Sequence, residues 1–247
     1  MIVFLPDMWG LKLMVGLCVG AVVGSFAATA GLRLAGGMNP LIGRSQCDGC
    51  ARTLGWAETL PFAGFAMAGG HCRACGNRID IFHLAGEIIG AVVLATCLLT
   101  LQGVQAILTG GLCLLMLVSA LIDLKTLRLP DLLTAGIALC GFGLTFLSGH
   151  LISGLIVAVL SGAILYAVKW MLERRHDKPM LGLGDIKLVA ALALWLGLRT
   201  PAMLALAAIL GLIVVLMTKR KEALPFGPMI AAASFIVGVL VPEGWLV

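Results

Sequence analysis

The stretch Leu112-Cys113-Leu114-Leu115-Met116-Leu117-Val118-Ser119-Ala120-Leu121-Ile122-Asp123 decides the fold class. Its apolar residues run continuously and do not alternate, which excludes a transmembrane barrel strand. With the residues before it, the run covers roughly 104–122, close to the about 20 residues a helix needs to cross a bilayer. It then ends on a carboxylate. An acid at the edge of a membrane span is costly to desolvate and is a functional candidate by default. The same situation recurs at Gly182-Leu183-Gly184-Asp185, where a second acid opens another apolar run.

The rest of the chain agrees with this reading. Of 247 residues, 61% are hydrophobic and only 12% are charged, with a mean hydropathy of +1.10. Soluble domains are about 45–50% apolar and about 25% charged. The expected fold is an all-α polytopic bundle of about eight transmembrane helices, with runs near 10–30, 84–101, 104–122, 131–148, 151–172, 186–198, 201–218 and 226–246. Residues 1–30 read as a retained first helix and not a cleaved leader. The long polar segment 31–83 reads as an extramembrane loop, and 84–247 as the remaining core. A net charge of +5 invites a nucleic-acid reading, but the basic residues are scattered over short loops, as membrane orientation requires.

Orientation follows from those residues. With 31–83 in the cytoplasm, alternating spans put Lys125, Arg128, the stretch Arg174-Arg175-His176-Asp177-Lys178, Lys187 and Lys219-Arg220-Lys221 on that side. Only Lys12 and Arg199 fall opposite. The sixth run is short: 188–198 covers about 16 Å as a helix. Merging it with the seventh across Arg199-Thr200-Pro201 would carry Lys219-Arg220-Lys221 outside, so two helices are expected. The short sixth helix implies that Gly182–Asp185 dips into a wet cavity.

By this topology Asp123 and Asp185 lie on one side of the membrane. Neighbouring carboxylates cannot both ionise freely, so such a pair holds one proton. The ionised member can take a proton from water while the protonated member polarises a peptide carbonyl. The structural alternatives are that Asp185 caps its helix and that Asp123 pairs with Lys125 or Arg128. Asp131, after Pro130, fits a capping role better. Glu87 is a further acid near the start of the second run.

Cys18, Cys97, Cys113 and Cys140 lie in apolar runs and read as packing residues. Cys47-Asp48-Gly49-Cys50 and Cys72-Arg73-Ala74-Cys75 form two C-x-x-C knuckles in the polar loop, a spacing that suits a structural zinc site with four cysteine ligands. Two disulfides or a redox pair are the competing readings, and a reducing cytoplasm disfavours disulfides. His71 and His83 read as bystanders.

Taken in order, the motifs resemble the type IV prepilin peptidases, aspartic proteases of the bacterial inner membrane. Gly24-Ser25-Phe26, Arg44-Ser45-x-Cys47-x-x-Cys50, Leu60-Pro61-Phe62, Leu121-Ile122-Asp123 with Leu129-Pro130-Asp131, Gly182-x-Gly184-Asp185-x-Lys187 and Leu224-Pro225-Phe226-Gly227-Pro228 carry the likeness. The resemblance implies catalytic aspartates Asp123 and Asp185 at the cytoplasmic face and zinc ligands Cys47, Cys50, Cys72 and Cys75. It implies prepilin or pseudopilin substrates with basic leaders, and S-adenosylmethionine as donor for N-methylation of the new terminus. No Gly-rich nucleotide loop is present to name contacts for that donor. A peptidase without methyl transfer is one alternative. A zinc-loop transporter or scaffold that relays protons is another, disfavoured because the inner stretches of the runs hold almost no further acids or histidines.

Overall fold

The computed structural model describes residues 8–40, 42–176, 181–219 and 224–241. Asp177, Lys178, Arg220 and Lys221, used above for orientation, lie outside the described residues. Within the described residues each apolar run becomes a helix, residues 242–246 of the last run lying outside them, and the chain is an all-α membrane protein with a four-cysteine loop. Contacts divide it into two units, Met1–Leu101 and Gln102–Val247. The boundary expected at 83/84 differs from this grouping, because the helix starting at Ile81 packs on the first helix.

In the first unit, α1 (Trp9–Ala35) lies against α3 (Ile81–Thr100), with the short α2 (Ala63–Met67) in the loop between them. The α1–α3 seam is made of small residues. A Cβ added to Gly20 would stand 2.4 Å from Gly90 O, and one added to Gly24 would stand 2.2 Å from Gly86 O. Lipid offers no hydrophobic drive for helix pairing, so close backbone approach supplies the dispersion contact instead.

The second unit holds α4 (Gly103–Thr126), α5 (Asp131–Leu147), α6 (Leu151–His176), α7 (Leu183–Leu196), α8 (Thr200–Thr218) and α9 (Gly227–Phe235), which ends in a π turn over Ile236–Leu240. By composition Leu183–Thr218 is one apolar stretch. Gly197 breaks it, at φ 53 and ψ −131, followed by a 3-10 turn over Gly197–Arg199. The chain reverses there. The start of α7 reaches the start of α5 through Lys187 and Asp131, and its end places Trp195 against Gly238 at the far end of α9. Arg199 Nη1 donates to Val237 O at 3.2 Å and to Val241 O at 3.4 Å, tying the turn to that same end. From there α8 returns, and its Gly211 meets Phe226, just before α9 begins. Two antiparallel helices are therefore present, as expected. The helical part of the sixth run starts at Leu183, so Gly182–Asp185 opens the helix where a loop was expected.

Candidate active site and metal centre

Asp123 occupies the last turn of α4. Leu127, in the left-handed region at φ 53, ends that helix and donates its N–H to Asp123 O. A carboxylate at a helix C-terminus faces the unfavourable end of the dipole. The compensation comes from another helix. Gly227 N, the first residue of α9, donates to Asp123 Oδ2 at 2.8 Å in a buried bond. The Asp123 carboxylate thus satisfies one of the orphan N–H groups at the α9 N-terminus, where negative charge is favoured. The residue is only 5% exposed, and its Oδ2 is held by this backbone N–H from another helix.

Asp185 lies in the first turn of α7, third after the cap, and the N-cap is Gly182. The capping alternative is thereby corrected: no side-chain cap bond forms at this terminus. Asp185 lies within electrostatic range of Asp123. The two acids meet at one end of the unit, where α4 ends and α7 and α9 begin.

Glycines keep that space open. A Cβ on Gly227 would stand 2.9 Å from Asp123 Oδ2, and one on Gly182 would stand 2.9 Å from Asp185 Oδ2. The two glycines before Asp185 serve no unusual backbone angle, since Gly182 has φ −68 and neither Gly182 nor Gly184 has a positive φ. Room is the reason: Gly184 lies against Leu129, where a Cβ would meet the leucine Cβ at 3.0 Å. Asp131 is not a cap either. Pro130 holds that position, and Asp131 accepts from Lys187 Nζ at 2.8 Å.

In the first unit, the four cysteine sulfurs lie within 4.8 Å of one another and can hold a metal ion. Cys47 and Cys75 Sγ are 3.7 Å apart, and Cys50 and Cys72 Sγ are 4.0 Å apart. A tetrahedron of thiolates about 2.3 Å from a zinc ion requires edges of about 3.8 Å. The two knuckles repeat one backbone design. Cys47 N donates to Arg52 O and Ala51 N to Cys47 O; Cys72 N donates to Asn77 O and Gly76 N to Cys72 O. The left-handed positions are Ala51 (φ 56) and Gly76 (φ 69). Gly49 is not a left-handed position and admits Asn77, whose Cβ would be 2.8 Å from an added Cβ. Backbone N–H groups of Cys75 and Ala74 directed at the Cys72 sulfur push its thiol down to about 6, which favours the ligating thiolate. Arg52 stands beside that sulfur and grips Glu58 through both terminal nitrogens, at 2.7 and 3.1 Å.

Comparison with known proteins decides the family. Residues 18–101 match the bacterial peptidase A24 N-terminal domain, and residues 110–216 match the type IV leader peptidase family. A prepilin leader peptidase/N-methyltransferase of Pectobacterium carotovorum subsp. carotovorum is 36% identical over 76% of this chain and 71% of its own. The chain belongs to the type IV leader peptidase family. Proteins of the same name from Klebsiella pneumoniae and Burkholderia pseudomallei are 34% and 33% identical, over 78% and 79% of this chain and 87% and 67% of theirs. No solved structure matches the chain.

Two features of this type IV leader peptidase family member escape sequence reasoning. Gly227 was visible only as part of a proline-flanked motif, with nothing local to say that it faces Asp123 from 104 residues away. Glu87, noted above as one further acid, is 8% exposed and is held from two elements. Its Oε1 accepts from Ser25 Oγ at 2.9 Å, and its Oε2 accepts from Phe62 N at 2.8 Å.

Proposed function

We propose that the second unit is an aspartic endopeptidase that removes the basic leader from prepilins or pseudopilins, with Asp123 and Asp185 as the catalytic pair. The observation that carries the reading is the meeting of two carboxylates from different helices at one end of the bundle, one of them buried on the α9 N-terminus. One aspartate is ionised and takes a proton from water as the water oxygen attacks the scissile carbonyl carbon. The other donates its proton to the carbonyl oxygen. The C–N bond then breaks, and the leaving amine carries a proton away. Access of water and of the leader from the cytoplasmic side of a bacterial inner membrane follows from the lysine and arginine placement.

The four-cysteine loop binds zinc in a structural role: four thiolates complete a tetrahedral shell and leave no open position for catalysis. The relatives' name also supports N-methylation of the new terminus in this protein, with S-adenosylmethionine as donor. The donor supplies an electrophilic methyl group to an amine; residues of the first unit would hold it.

The test is leader cleavage by full-length protein in membranes. Asp123→Asn and Asp185→Asn are each expected to abolish it, because a neutral amide can neither accept nor donate the required proton, while insertion and expression stay normal. Cleavage at the normal rate by either variant overturns the assignment.

A further inference from the structure

The first unit contains a cavity of about 420 Å³ walled by α1, α3 and the four-cysteine loop. Its size falls in the usual range for small-molecule sites, roughly 300–1,000 Å³. Ser25, Thr29 and Arg33 line its α1 wall. They recur every four residues, so they share one helix face and run along it for about 12 Å. Opposite, Glu87 comes from α3.

Among the described residues, Glu87 and Arg33 are charged groups of this lining with no ion pair. Both Glu87 oxygens accept from neutral donors, Ser25 Oγ and Phe62 N. Among the described residues no lysine, arginine or histidine stands within ion-pair distance of it. A buried carboxylate without a cation is expensive. The loop nevertheless takes up a left-handed backbone at Phe62, φ 60, where that N–H reaches Glu87. Arg33 is the converse case: it donates to Ile42 O at 3.3 Å and Arg44 O at 2.9 Å, both carbonyls. The cavity thus presents the unneutralised Glu87 carboxylate and the unneutralised Arg33 guanidinium to whatever fills it, beside the paired Arg52 and Glu58 and the further guanidinium of Arg78.

We propose that this cavity binds S-adenosylmethionine, with Glu87 receiving the ligand's positive charge and Arg33 its carboxylate. The inference rests on the methyl-transfer reading above and gives it a place in the chain. The ligand fits on chemical grounds: it carries a sulfonium and an ammonium, a carboxylate, and an adenosine body for the apolar part of the wall. Once the methyl has passed to an amine, the sulfur keeps the bonding electron pair and is neutral, so the charge that Glu87 can meet is reduced in the spent product.

The experiment is equilibrium binding of S-adenosylmethionine to full-length, metal-replete protein in detergent. Glu87→Gln removes the charge, and Thr29→Trp fills the cavity from the α1 face without altering charge. Each is expected to weaken binding at least about tenfold, while leader cleavage and metal content stay at the wild-type level. If both variants keep wild-type affinity, the cavity assignment falls and methyl transfer stands. If the wild-type protein binds no S-adenosylmethionine, both fall. Should a variant lose its metal, photo-crosslinking of the ligand to unaltered protein decides: labelling within 25–33 or 84–87 supports the site, and labelling confined elsewhere overturns it.

Discussion

At the scale of single residues, the site depends on atoms that are absent. Asp123 and Asp185 each have a glycine close to a carboxylate oxygen, and a methyl group at either glycine would displace that oxygen. Gly227→Ala should therefore shift Asp123 and weaken its bond from the α9 N-terminus. A displacement near 1 Å in a reacting group can cost about 10²-fold in rate. Leader cleavage should fall by about that factor with protein levels unchanged, and a variant that cleaves normally would show that Asp123 tolerates the shift. Glu58 makes a separate residue-scale prediction. Its hydrogen bonds from Arg52, and then from Gly55 N, hold its carboxyl down to about 2, against an ordinary 4.5. A depressed carboxyl contributes stability that is full above the unfolded value and is lost as pH falls towards the folded one. The melting-temperature gap between wild type and Glu58→Gln should be constant above about pH 5 and close between about pH 4.5 and pH 2. A gap that persists unchanged at the acid end would place the stabilisation elsewhere.

At the scale of elements, packing differs between the two units. The α1–α3 pair is joined through Gly16, Gly20 and Gly24 on one helix and Gly86 and Gly90 on the other. Gly24 would place a Cβ 2.2 Å from Gly86 O, and backbone cannot rotate away as a side chain can. Gly24→Leu should separate the pair, destabilise the first unit by at least about 1–3 kcal/mol, and expose the loop to protease. Gly10→Leu on the same helix, with open space around it, serves as the control and should be silent. Equal protease sensitivity in both variants would mean the seam is not what holds the helices. The small residues were all readable in the sequence, but their shared face had no partner until α3 was placed against it. The knuckles were more legible. Cysteine spacing alone announced a four-thiolate cluster, because the two C-x-x-C turns are local and each builds its own backbone hydrogen bonds. What spacing could not tell is that Ala51, with no glycine's freedom, takes the left-handed position of the first knuckle.

At the scale of the whole molecule, the proposed orientation and the proposed metal can be tested together. A membrane-impermeant maleimide should leave Cys47, Cys50, Cys72 and Cys75 unlabelled in intact spheroplasts. In inside-out vesicles it should label them only after a strong chelator is added. Labelling without chelator argues against a bound metal, and labelling from the outer face overturns the cytoplasmic placement. The sequence by itself determined the membrane class, the helical runs, the reversal near Arg199 and the two candidate acids. Each is a local consequence of hydropathy, charge and length, which act along the chain. The tertiary structure alone decided that Asp123 rests on the N-terminus of α9, that Gly182 and Gly227 are there for room and not for backbone angle, and that Glu87 faces a cavity with no cation within ion-pair distance among the described residues. Those facts join residues as many as 104 positions apart. They arise from which helix ends come together, and periodicity along one segment carries no record of that.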